Sequence, residues 1–182
     1  FLMQGPEKRT KSEALVLNVR EVRPAGHHSI RIYGRLENGK SVCAKTDAFR
    51  PYFYVLGQKT DVAELTKKLR ATFEKGDLIE RIDPVHKIPL MGYHPDGAVP
   101  MQRITMTSPK YIATCRDLLE NEGLSTYEGN VAYEMRFMVD QSFGGNDWIK
   151  IDSYSPAREI ETRCDREYDF NGHVEKLDRS DV

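Results

Sequence analysis

Hydrophobic and polar positions follow two rhythms along this chain. ALVLNVREVR (14–23) reads as a strand, Pro24 to His28 as a turn, and SIRIYGRL (29–36) alternates with period two. Ile30 and Ile32 then share one side, and Arg31 and Tyr33 the other. Glu37-Asn-Gly39 is a hairpin signal, and KSVCAKT (40–46) returns as the partner strand. The opening is thus predicted to be an antiparallel meander.

A second pattern begins at FRPYFYV (49–55), a strand. Its alternation puts Phe49, Pro51, Phe53 and Val55 on one face and Arg50, Tyr52 and Tyr54 on the other. TDVAELTKKLRATFEKG carries Val62, Leu65, Leu69 and Phe73 at helical spacing, with Asp61 and Glu64 placed for a capping box and Gly76 as the stop. DLIERIDPVHKI reads as a strand interrupted at Pro84, and a turn-rich loop leads to MQRITMT (101–107). Ser108 then caps a helix with Pro109 in its first position and Ile112, Cys115 and Leu119 as its stripe, ending at Gly123. LSTYEG is a short closing strand. The order β-α-β-β-α-β is the split βαβ, ferredoxin-like arrangement, in which two helices cover one face of a four-stranded sheet.

In the last third, Asn130 is a candidate cap for VAYEMRFMVD, with Val131, Met135 and Met138 spaced for burial. Phe143-Gly-Gly145 is a loop, DWIKIDSY a strand, and ETRCDREYDF and HVEKLDRSDV further short strands completing the sheet begun by 14–47. The fold class expected is α+β: a ferredoxin-like lobe beside a small antiparallel β lobe. Residues 1–13 are a lead-in, 14–48 and 147–182 form the β lobe, and 49–146 form the ferredoxin-like lobe and the short helix after it.

Composition narrows the function. At 182 residues the chain can build one good core or two small lobes. Lys+Arg 27 against Asp+Glu 28 leaves a net charge of -1, so nucleic-acid binding needs a local patch rather than a global field. No run approaches eighteen consecutive apolar residues, so no helical span and no membrane partner are expected. Cys43, Cys115 and Cys164 stand far apart without CxxC spacing, which suits a reducing compartment and argues against a structural zinc. The chain starts at Phe1 without a processing signature and stops at Val182 without a helix stop. The expectation is one domain of a longer polypeptide.

Catalytic chemistry is not legible. His27-His28 lie in a turn without acidic or cysteine partners, His94 belongs to the Pro-Asp-Gly turn, and Cys115 fits a helix core. GxxxxGKS, GxSxG and GxGxxG are absent, and acids are interspersed with bases. No catalytic residue, metal ligand or cofactor is nominated in this chain. The candidate surface is the sheet face carrying Arg50, Tyr52 and Tyr54, with Arg103 and Thr105 on the neighbouring strand opposite Gln102 and Ile104. Such a face either stacks unpaired bases, as in RNA-recognition modules, or packs on the other lobe with its hydroxyls bonded locally. The glycine-aromatic signature of those modules is missing.

IRIYGRLENGKSV, FRPYFYV, MGYHPDGAVPMQRITMTSP and TYEGNVAYEMRFMVDQSFGGNDWIKI, taken in order, resemble the amino-terminal domain of family B DNA polymerases. The resemblance covers about residues 14–152. It implies a ferredoxin-like lobe beside a β lobe, supporting the exonuclease and palm domains of the same polypeptide and helping to hold single-stranded DNA template. The parent would then be a nuclear DNA-directed DNA polymerase (cytoplasmic in a prokaryote or virus) using magnesium, with 3′–5′ exonuclease activity, and its catalytic aspartates would lie outside this chain. In archaeal members the proline matched by Pro51 lines a pocket for template uracil. Met101 and Ala132 depart from that pattern, which argues against uracil sensing. The alternative from another class is a free-standing RNA- or single-strand-binding module using Arg50, Tyr52 and Tyr54. A third is a scaffold without nucleic-acid contact.

Overall fold

The computed structural model describes residues 14–26, 28–57, 64, 67, 71, 78–89 and 95–178. The lead-in 1–13, the stripe Val62, Leu65, Leu69 and Phe73, Asp61, Gly76, His27 and His94 lie outside them. Glu64, Lys67 and Ala71, from the predicted first helix, are helical and exposed.

Among the described residues the chain forms two sheets. Strands β1 (Leu15–Ala25), β2 (Ser29–Leu36) and β3 (Ser41–Thr46) join β8 (Trp148–Ile151), β9 (Tyr154–Pro156), β10 (Arg166–Phe170) and β11 (Glu175–Leu177) in the order β11-β8-β1-β2-β3-β10-β9. Its pairs are antiparallel except β3 with β10. The second sheet comprises β4 (Tyr52–Leu56), β5 (Ile79–Lys87), β6 (Val99–Met106) and β7 (Thr126–Tyr127), all antiparallel, in the order β5-β6-β4-β7. That is the strand order of a split βαβ unit. Helix α1 (Ile112–Asn121) belongs to this unit, and α2 (Tyr133–Asp140) follows it. The fold is α+β.

Alternation explains the larger sheet. Leu15, Leu17, Ile30, Ile32, Val42, Ala44, Ile149 and Ile151 are buried in one cluster, while Arg31 and Lys150, which alternate with them, are only half-buried. The β2–β3 connection runs through Glu37 to Lys40, closed by Gly39 N–H to the Leu36 carbonyl at 2.9 Å. Gly39 takes φ +82, where glycine is the least strained residue. Gly34 is required for a different reason: a Cβ there would lie 2.5 Å from the Asn18 carbonyl oxygen, beside the bulge between Val19 and Glu21.

The smaller core gathers Phe53, Val55, Ile79, Ile104, Met106, Cys115 and Leu119. Burying a side chain such as Phe53 contributes roughly 1.5–3 kcal/mol. Burial also pushes the Cys115 thiol up to about 12, as expected of a small core residue. Ser108 accepts the Lys110 N–H at 3.4 Å and opens a single 3-10 turn, Pro109–Tyr111, that runs into α1.

Four expectations need correction. Phe49 leaves the face of Phe53: it lies before β4 and packs on the larger core, stacked on Tyr133 at 5.4 Å between ring centroids and edge-on to Phe137 at 5.2 Å. Pro84 does not interrupt β5, because β5 is a sheet edge where the missing N–H costs no ladder bond. DWIKIDSY is two strands, β8 and β9, broken at Asp152-Ser153. Finally, α2 buries Tyr133, Arg136 and Phe137 while Met135 is exposed, and Ala132 rather than Asn130 stands at its cap. The aromatics Phe49 and Phe143 pull that helix round to its Tyr133–Phe137 stripe. Tyr133, Phe137 and Phe143, assigned from sequence to the 49–146 segment, therefore complete the core of the larger sheet.

Candidate nucleic-acid interface

The register of β4 against β6 sets Tyr52 opposite Thr105, Phe53 opposite Ile104 and Tyr54 opposite Arg103. Tyr52, Tyr54, Arg103 and Thr105 thus share one face, and Phe53, Ile104, Val55 and Gln102 the other, as the alternation predicts. Tyr52 and Tyr54 meet edge to face at 5.6 Å.

This face is covered. Arg136 of α2 places its guanidinium 4.7 Å from the Tyr52 ring centroid, and Arg103 lies 5.4 Å from the same ring. The Lys87 ammonium sits 4.0 Å from the centroid of Tyr54, which is only 9% exposed. The Tyr52 hydroxyl donates to the Asp140 carboxylate, 2.8 Å from either oxygen. Burial, then that carboxylate, raises the Tyr52 pKa well above its ordinary value. The geometry is that of packing on the neighbouring lobe, with Tyr54 buried and Tyr52 half-buried.

Glu128 closes the arrangement. Its carboxylate, 5% exposed, accepts from Arg136 Nη1 at 2.6 Å and pairs with Lys87. Arg136 Nη2 also donates to the Glu128 carbonyl at 3.3 Å. Burial pushes the Glu128 carboxyl up, but the hydrogen bonds from Lys87 and Arg136 outweigh it and hold its pKa below the ordinary value. Glu128 has φ +60, an unfavourable conformation for a residue with a side chain, which its two ion pairs fix in place. Tyr133 adds a second tie, its hydroxyl lying between the carbonyls of His28 (2.9 Å) and Phe49 (2.8 Å).

Arg50 stands apart from this cluster. It precedes β4, its Nε donates to Glu80 at 2.8 Å, and Nη1 reaches the Asp47 carbonyl. Arg103 pairs with Asp83 at 3.2 Å. Both side chains remain about one-third exposed, 33% and 31%. Arg103 Nε and Thr105 Oγ1 are buried without a hydrogen-bond partner. Of the four nominated residues, three share the covered face and Arg50 lies at its end. Lys87, Glu128, Arg136 and Asp140 were missed. The available signal was Arg136 on α2 with Asp140 one turn on, in helical register with Tyr133 and Phe137. Among the described residues no three His, Cys, Asp or Glu are grouped to hold a metal.

No family model matches the chain. It is 31% identical over 162 residues to the DNA polymerase delta catalytic subunit of Oryza sativa subsp. japonica, covering 77% of this chain and 15% of that protein. The corresponding subunit of Bos taurus is 31% identical over 144 residues, covering 67% and 13%, and that of Schizosaccharomyces pombe 30% over 139 residues, covering 68% and 13%. The chain thus spans a small part of the length of these relatives. Its fold matches part of the family B DNA polymerase of the archaeon Pyrobaculum calidifontis, with TM-score 0.68 at 20% identity, over 90% of this chain and 20% of that one.

Proposed function

From its homology to DNA polymerase delta catalytic subunits and a fold shared with a family B DNA polymerase, we propose that the chain is the non-catalytic amino-terminal domain of a replicative DNA-directed DNA polymerase. In this reading it braces the exonuclease and palm of the same nuclear polypeptide and helps to hold single-stranded template. The homology carries it, and the clamp of Glu128, Arg136, Lys87 and Tyr52 between the two lobes suits a bracing role. A brace must hold its parts at fixed angles, and directional buried ion pairs do this better than an apolar seam.

Arg50 and Arg103 are the residues on which the template contact rests in this reading, because their guanidiniums keep some access to solvent. Tyr52 acts behind them by fixing the sheet to α2, with Tyr54 packed edge-on against it. Two phosphate contacts give a shallow salt dependence, log affinity falling by about 1.4 per decade of salt on a single strand. Deoxynucleotide addition would be performed by magnesium-binding residues outside this chain.

The test is a segment exchange. Replacing the matching stretch of the rice catalytic subunit with this chain should leave primer extension intact, whereas the chain alone should extend nothing. A folded chimera without synthesis, or extension by the chain alone, would sink the reading. Arg50→Ala with Arg103→Ala should weaken single-strand binding by more than the accompanying fall in melting temperature accounts for.

A further inference from the structure

Two Ser-Pro dipeptides occur in the chain, Ser108-Pro109 and Ser155-Pro156. Ser108 is buried and its hydroxyl is engaged as a cap. Ser155 is exposed, in extended backbone on β9, the outermost strand of the seven-stranded sheet, and an exposed arginine, Arg158, follows three residues later. Register places Ser155 opposite Asp169, Asp169 opposite Lys45, and Lys45 opposite Arg31, so one row of side chains crosses four strands. Ser155, Arg158, Asp169 and Lys45 line a polar cavity of about 510 Å³.

We infer that Ser155 is a phosphorylation site for a proline-directed serine/threonine kinase favouring a basic residue three positions downstream. Ser155 Oγ attacks the γ-phosphorus of the kinase-bound nucleoside triphosphate, and the bond to the bridging oxygen breaks. Nucleoside diphosphate leaves, and the hydroxyl proton passes to the kinase's catalytic aspartate. An edge strand suits such an enzyme because one side is free to be read, and Pro156 is tolerated only at such an edge. The product brings a charge of about -1.5 to -2 directly opposite Asp169. Like charges facing each other across a strand pair repel, and the Asp169 carboxylate also holds the Arg158 N–H at 3.2 Å. Lys45, next in the row, is already drawn toward Glu161 at 3.4 Å. Phosphorylation therefore loosens β9 from β10 and frees the segment that carries Arg158.

The test incubates the whole folded chain with a purified proline-directed kinase and ATP, and locates the label by tandem mass spectrometry. The expected result is phosphate at Ser155, none at Ser108, none in Ser155→Ala, and labelling slowed about tenfold in Arg158→Ala, the worth of one charge-assisted contact. A peptide spanning 150–162 serves as the control for kinase competence. If the peptide is labelled and Ser155 of the folded chain is not, the site is refuted, as it is by parental rates in Arg158→Ala. Hydrogen exchange of the labelled chain should quicken at 153–157 and stay unchanged in β1 and β2. Unchanged exchange at 153–157 would refute the loosening.

Discussion

On one face of β4, Phe53 and Val55 lie among aliphatic side chains and a cysteine; on the other, Tyr52 and Tyr54 lie among an aspartate, two arginines and a lysine. The first face gains free energy by excluding water and asks little about angles. The second gains less, because each ion gives up hydration to enter it, but its partners work only at particular distances. The apolar face therefore contributes most of the stability, and the charged face fixes how the lobes sit. That division yields tests of decreasing size.

Phe53→Ala should cost about 3–5 kcal/mol in denaturant unfolding, as for other buried aromatics. A variant as stable as the parent would shift the strand register by one and exchange the two faces. Arg136→Ala should cost less, about 2–3 kcal/mol, mostly from leaving the Glu128 carboxylate buried with one cation fewer. Glu128→Gln combined with Arg136→Met should cost only about 1 kcal/mol, well short of the summed single changes. If the double variant is as damaged as the sum, the pair is not a coupled unit.

Acid should act on the charged face. The folded Glu128 pKa lies below the ordinary 4.5, so its contribution is fully present above that value and is lost as pH falls through the lowered folded pKa. Stability measured downward from pH 4.5 should fall less steeply in Glu128→Gln than in the parent; identical slopes would remove Glu128 from the account. The smallest change, Tyr52→Phe, deletes only the hydroxyl bonded to Asp140 and should cost about 0.5–1.5 kcal/mol. A larger loss would mean that Asp140 depends on Tyr52 for more than this bond.

The period-two face of FRPYFYV was readable because alternation in a strand is geometric: Phe53 and Val55 are core, and Tyr52 and Tyr54 look away from it. Phe49 escaped the rule because alternation holds only where the backbone is extended, and the strand starts at Tyr52. The α2 stripe was only partly right: Met138 does pack on the larger core, but Met135 is exposed and Arg136 is buried in its place, because an ion pair overrode hydropathy. The fate of the tyrosine face was not decidable locally. It depends on Arg136 and Asp140, more than eighty residues downstream and brought there by α2.

The larger sheet draws its strands from both ends of the described chain, and Ser41 meets Asp165 across 124 residues of sequence. During synthesis, β1 to β3 emerge first and then wait while the whole split βαβ segment is made. At about 5–20 residues per second, the roughly 100 residues between β3 and β8 take on the order of 5–20 s. Through that interval the edges of β1 and β3 are open and able to pair with the wrong strand. The smaller lobe, complete once β7 has emerged, is free to close in the meantime. The order of closure on the ribosome is thus inner lobe first, outer sheet last, and the risk of misassembly falls on the strands made earliest.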